Sequence, residues 1–185
     1  MNKAGVYVAN IEADRSSFPV PALRFSFLIR KTLMPNIFVN IPKDTFSTEQ
    51  VDRLGKSITD AAHAAERIPE DQKHHFLTWL TVEEIRPEYL FIAGKRALPD
   101  FVPIIVKFYQ PAGVMDMKQR ELLSELTDKA IREALGEAAA NVLISCIMLD
   151  VPDGHWGANG SVWALPQITQ LAGFQHLSHL VEEAS

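Results

Sequence analysis

Cysteine is nearly absent. Cys146 is the one thiol in 185 residues, so no disulfide can close within a chain and a disulfide-stapled secreted fold is excluded. Long apolar runs are missing too: nothing approaches the roughly 20 residues that span a bilayer. The nearest candidate, "FSFLI", is flanked by Arg24 and Arg30, preceded by Glu12 and Asp14, and followed by no small-residue cleavage pattern. A secretory leader is therefore not expected. Positive charge is not in excess either. With 18 Lys and Arg against 23 Asp and Glu, the net charge is -5, which gives no electrostatic reason to expect nucleic acid or an anionic membrane as a partner.

Metal and nucleotide signatures are equally sparse. His74 and His75 are adjacent and cannot converge on one ion from a regular element. His176 and His179 have helical spacing but no third ligand type nearby, and structural sites need more. "GANG" is too short to cradle a phosphate, and no Ser-His-acid order stands out. Neither cofactor nor metal is expected. Hydrophobic residues at 47% and charged residues at 22% are the proportions of an ordinary globular chain. A soluble, cytoplasmic protein is the expectation.

What is present is a repeat. "PNIFVNI" from Pro35 alternates Ile37, Val39 and Ile41 on one face, as a strand does. Ser47 with Gln50 makes a capping box, and Val51, Leu54, Ile58, Ala61 and Ala65 then follow a helical stripe. "FLTWLTVEEI", Phe76 to Ile85, reads as a second strand, ending at "RPEYLFIAGK". The order recurs: "FVPIIVKFY" from Phe101, the turn "QPAG", a cap at Asp116 with Gln119, and a stripe of Leu122, Leu126, Ala130, Ala134 and Leu135. Gly136 closes that helix, and "NVLISCIMLDV" leads to "PDGHWGANG". Pro35 and Pro103 lie 68 residues apart, and Glu84 and Asp150 lie 66 apart, as do Gly94 and Gly160.

The chain thus divides into an extension at 1–33, a first βαβ unit at 34–95, a second at 96–160 and a tail at 161–185 with a short helix near Pro166. The expected class is α+β: two tandem βαβ units forming a four-stranded sheet with both helices on one face. The bare sheet face predicts oligomerisation or cover from the termini.

"MPNIFVNI", the Ser-Thr-Glu-Gln cap, "VEEIRPEYLFIAGK" and above all "LDVPDGHWGANG" together resemble the tautomerase superfamily, whose type member is 4-oxalocrotonate tautomerase. The two-unit length resembles its fused subgroup, which includes cis-3-chloroacrylic acid dehalogenase and malonate semialdehyde decarboxylase. The resemblance covers about Met34 to Gly160. It implies an isomerase-type enzyme that works on a small carboxylate without a cofactor, assembled as a homo-oligomer, a trimer of two-unit chains.

Such proteins use an amino-terminal proline, which directs attention to Met34-Pro35. An internal proline nitrogen is a tertiary amide with neither proton nor basicity. A terminal proline is a secondary amine whose basicity a low-dielectric pocket can lower toward neutrality, making it a general base. Translation from Met34, with residues 1–33 an over-extended gene start, is the expectation that makes Pro35 a base. The competing expectation keeps the extension as cover for a sheet face, through "GVYVANI" and "LRFSFLI". Pro103 matches Pro35 in the repeat, but no start site could free it.

Asp150 falls where dehalogenase-like relatives place an acid that activates water, and Glu84 is its counterpart in the first unit. Each is also read as a turn-capping carboxylate. The arginines that clamp substrate carboxylates in the family are not matched: Trp79 or Ser145 stands on the second strand of each unit, and "QPAG" precedes the second helix. Lys43, Arg86 and Lys107 are the nearest basic candidates, and Trp156 is a candidate for the pocket mouth. Cys146 reads as a strand filler rather than a nucleophile. The expected activity is keto–enol proton transfer on a 2-oxo or enol acid by Pro35. Alternatives are hydration, dehalogenation or decarboxylation at the same site with Asp150 or Glu84 acting on water, and a non-catalytic oligomeric binding protein.

Overall fold

In a computed structural model of the chain, residues 35–70 and 77–183 are described. Met34, the strand candidates of the extension, His74, His75 and Phe76 lie outside them.

The first unit runs β1 (Asn36–Pro42), α1 (Thr48–Glu66) and β2 (Trp79–Ile85). A two-residue hairpin, β3 (Phe91–Ile92) with β4 (Lys95–Arg96), closes it. The second runs β5 (Val102–Pro111), α2 (Met117–Leu135) and β6 (Val142–Val151), closed by β7 (Trp156–Ala158) and β8 (Ser161–Trp163). A tail of two helices, α3 (Leu165–Ala172) and α4 (Ser178–Glu183), follows.

The four long strands form one sheet in the order β2-β1-β5-β6. Within each unit the strands are parallel, and the units meet through the antiparallel β1–β5 pair. Alternation sorts the faces. Ile37, Val39 and Ile41 of β1 and Ile104, Val106 and Phe108 of β5 are buried beneath the helices. The opposite face leaves Trp79 55%, Leu143 46% and Ile147 38% exposed. Among the described residues this is the less covered face, as the repeat predicts.

Both capping boxes form as the sequence indicates, and each glutamine does a second job. Gln50 Oε1 accepts from the Ser47 amide, while Nε2 donates to the Leu135 carbonyl at 3.1 Å on α2. Gln119 accepts from the Asp116 amide and donates to Ala65 of α1 at 3.0 Å. Each start box therefore satisfies one of the orphan carbonyls at the other helix's end. These bonds pack α1 and α2 antiparallel.

Three details differ from expectation. The second strand begins at Trp79 rather than Phe76. β5 continues past Tyr109 through Gln110 and Pro111, which pair with Asp150 and Val151, so the turn starts later. On α2 the buried stripe is Leu123, Thr127, Ala130, Ile131 and Ala134, with Leu122 40% exposed. Ala130, Ala134 and Leu135 are buried as expected, while Leu123 and the polar Thr127 take the places of Leu122 and Leu126.

Candidate functional site

A cleft of about 450 Å³ opens on the uncovered sheet face, where β1 begins and β5 and β6 end. Register builds its floor. Asn36 stands opposite Tyr109, and Phe38 opposite Lys107, all four on the face away from the helices. Phe38 and Tyr109 meet edge to face, with centroids 5.6 Å apart and planes at 81°. Glu83 lines the cleft from β2, with Oε2 accepting from Asn40 Nδ2 at 2.6 Å. Val151, His155, Trp156 and Gly157 complete the wall from the end of β6 and the hairpin beyond it. Lys107 has no acidic partner among the described residues, so it offers its charge to the cleft.

Pro35 immediately precedes the cleft residue Asn36, and its carbonyl accepts from the Trp79 amide at 3.0 Å. One register step beyond the Asn36–Tyr109 pair places Pro35 beside Gln110, and Gln110 pairs with Asp150. Proline, amide and carboxylate therefore share one row across the sheet. Arg120, on the first turn of α2, closes that row. Its Nη2 donates to the two Asp150 oxygens at 2.9 and 2.8 Å and to the Met115 carbonyl at 3.3 Å. Gln110 Nε2 adds a donation to Asp150 Oδ1 at 3.0 Å.

The sequence-level candidates thus separate into two groups. Pro35, Asp150, Lys107 and Trp156 gather at one end of the sheet. Glu84 pairs with Ile41, six residues along β1 and roughly 20 Å from Pro35 at about 3.3 Å per residue. Lys43 and Arg86 stand with Glu84, and Arg86 is already engaged by Glu88 at 3.6 Å and by the Tyr89 ring. The reason is the antiparallel β1–β5 seam, which sends equivalent positions of the two units to opposite ends.

Asn36, Tyr109, Gln110, Arg120 and His155 escaped the sequence analysis. Only Arg120 carried a signal: a cation on the first turn of a helix runs against the helix dipole and points to a local anion. Cys146 is half-buried in β6. Burial pushes its thiol up, a shift only partly opposed by the Thr127 hydroxyl, which leaves it short of thiolate character. Among the described residues no three His, Cys, Asp or Glu side chains are grouped to hold a metal, and no helix is long and apolar enough to cross a membrane.

No protein-family model and no curated protein matches the sequence. Solved structures do. The Q0 fused 4-OT, a wild-type symmetric trimer, superposes with a TM-score of 0.56 at 19% identity, over 69% of this chain and 94% of that one. The chain has the fused 4-OT fold. N1, a member of the cis-3-chloroacrylic acid dehalogenase family, gives a TM-score of 0.58 at 15% identity over 80% of this chain and 96% of its own. Pt0534 inactivated by 2-oxo-3-pentynoate gives 0.54 at 20% identity, over 69% and 94%. The tautomerase-superfamily resemblance read from the motifs therefore holds at the level of the fold, with the α+β class and the four-stranded sheet that go with it.

Proposed function

We propose that this chain is a tautomerase-like isomerase in which Pro35, freed as an amino terminus by a start at Met34 and loss of the methionine, moves a proton on a small 2-oxo or enol acid. One observation supports the reading: Pro35 immediately precedes Asn36, which with Tyr109 and Lys107 lines a cleft, and Lys107 has no acidic partner among the described residues. In this role Lys107 receives the substrate carboxylate as a point charge in place of the family's arginine fork. The free amine takes the proton from the α-carbon, and Tyr109 or Asn36 donates to the enolate oxygen. In the reverse sense the protonated amine returns the proton to carbon.

Proton transfer is favoured over water activation by what Asp150 is doing. Its oxygens already accept three donations from Arg120 and Gln110, which leaves little acceptor capacity to orient and deprotonate a water. Asp150 serves better as the fixed end of the row beside Pro35.

An activated alkyne tests the base directly, because a free amine adds across it and a tertiary amide cannot. Incubated with 2-oxo-3-pentynoate, the chain starting at Pro35 should gain the mass of one probe on its amino-terminal peptide, and the 185-residue chain should gain none there. Labelling of the full chain at the same rate, or on another residue in both, would remove Pro35 from the mechanism.

The bare face supports assembly. Trp79 on one edge strand and Leu143 and Ile147 on the other expose apolar surface on the same side of the sheet, and burying such surface is worth roughly 25 cal/mol per Å². Three copies are proposed, in keeping with the trimeric fused 4-OT structures. Sedimentation of the chain starting at Pro35 should give a single species of three chains; a monodisperse monomer would count against this.

A further inference from the structure

Gln110 is fully buried at 0% exposure, and its Oε1 has no hydrogen-bond partner among the described residues. An orphan buried acceptor is costly and calls for an explanation. Gln110 is a strand residue whose amide is held by its other end, since Nε2 donates to Asp150 Oδ1 at 3.0 Å on the β6 side. That commitment fixes which end of the amide is which and leaves Oε1 for the β1 side. There the cross-strand neighbour is Pro35, one step beyond the Asn36–Tyr109 pair. Directly opposed residues on one sheet face stand about 4.5–5.5 Å apart at Cβ, within reach of a glutamine side chain. A proline nitrogen inside a peptide bond has no hydrogen to give. The same nitrogen as a free terminus has one when neutral and two when protonated.

We infer that Gln110 is the positioning residue for the Pro35 amine: its Oε1 accepts an N–H from the terminal proline and holds the base in line with the cleft. The inference rests on the amino-terminal base proposed above. It also assigns a role to the chain of donors behind it. Arg120 holds Asp150, Asp150 holds the Gln110 amide, and the amide aims its oxygen at the amine. The charged or titratable groups at this end of the sheet are Asp150 on β6, Arg120 on α2, Lys107 on β5 and His155 beyond β6, while Glu83 on β2 faces the cleft farther along, opposite Asn40. A neutral acceptor on the amine favours its protonated form. Removing it should make Pro35 a weaker base, and putting a carboxylate there should make it a stronger one.

The test uses pH–rate profiles for ketonisation of phenylenolpyruvate by the chain starting at Pro35. Activity requires the free amine, so it rises with pH through the amine's titration. Gln110→Met keeps the length and loses the acceptor, and should move that limb down by about one pH unit. Gln110→Glu should move it up by a similar amount. A merely structural role for Gln110 would lower the rate without moving the limb. The unsubstituted chain gives a second measurement that no folding defect can spoil. The side-chain amide resonances of Gln110 should titrate with the same midpoint as the rate. An inactive unsubstituted chain would overturn the amino-terminal base itself. An active one whose limb stays put in both variants, or whose Gln110 resonances do not titrate, would overturn only the role of Gln110.

Discussion

Replacing Glu66 by glutamine should leave stability almost unchanged at pH 5 and raise it by about 2–4 kcal/mol at pH 8. Glu66 is the last residue of α1, 1% exposed, with Oε1 buried and without a hydrogen-bond partner among the described residues. Burial pushes its carboxyl up to about 8. Its position at a helix C-terminus adds to the cost of ionising it, because the helix dipole is negative there. The repeat shows what the site would otherwise hold: the last residue of α2 is Leu135, buried at 3% exposure. The sign follows from which state keeps the proton. With a folded value near 8 against an ordinary value of 4.5, the folded chain holds a proton that the unfolded chain has released. Nothing is lost below pH 4.5. Stability then falls steadily as pH rises, and the full loss is reached once pH passes 8. Each unit of that interval is worth about 1.4 kcal/mol. Urea denaturation at pH 5 and pH 8 should therefore show midpoints that diverge between the wild type and Glu66→Gln. Parallel midpoints at both values would mean that the Glu66 carboxylate finds a partner when it ionises.

The fold was legible where local chemistry repeats at fixed spacing. Ser47 with Gln50 and Asp116 with Gln119 marked both helix starts correctly, because a capping box satisfies specific backbone donors whatever the tertiary context. Alternation marked the buried face of β1. On α2 periodicity held for Ala130, Ala134 and Leu135 but not in the first half, where Leu123 and the polar Thr127 are buried in place of Leu122 and Leu126. At β5, Pro111 suggested a turn, yet that residue is the strand's last and pairs with Val151.

The site was less legible because it is made by pairing between the two units. Nothing in the order of residues says that β1 and β5 run antiparallel, and this seam alone decides that Asp150, not Glu84, shares a row with Pro35. Lys107 and Trp156, singled out by residue type, both line the cleft. Asn36, Tyr109 and Gln110 were not, since a polar or amphipathic side chain on a strand has no signature until its cross-strand neighbour is known. The missing family arginines read as a gap in the sequence. In the fold, the cleft holds Lys107 on its floor, while Arg120 is spent on Asp150.

The central claim is that exposing Pro35 as a terminus creates the catalyst. The chemistry at that nitrogen is all or none: within the Met34–Pro35 bond it is an amide with no basicity, and as a terminus it is a secondary amine. A positioned general base contributes about 10²- to 10⁴-fold, so the two forms should be far apart in rate. Pro35→Ala at the new terminus keeps a primary, more mobile amine and should be reduced without being silent. One uncleaved residue ahead of Pro35 should silence it, since that restores the amide. A terminal amine ordinarily titrates near 8, and the burial of Pro35 should bring it below that value. The measurement is kcat/KM for phenylenolpyruvate ketonisation, compared between the 185-residue chain and the chain beginning at Pro35. A rate at least 100-fold higher for the Pro35 form, rising through a group below about pH 8, is the predicted result. Equal rates for the two forms would contradict it and leave Met34-Pro35 as no more than the head of a strand.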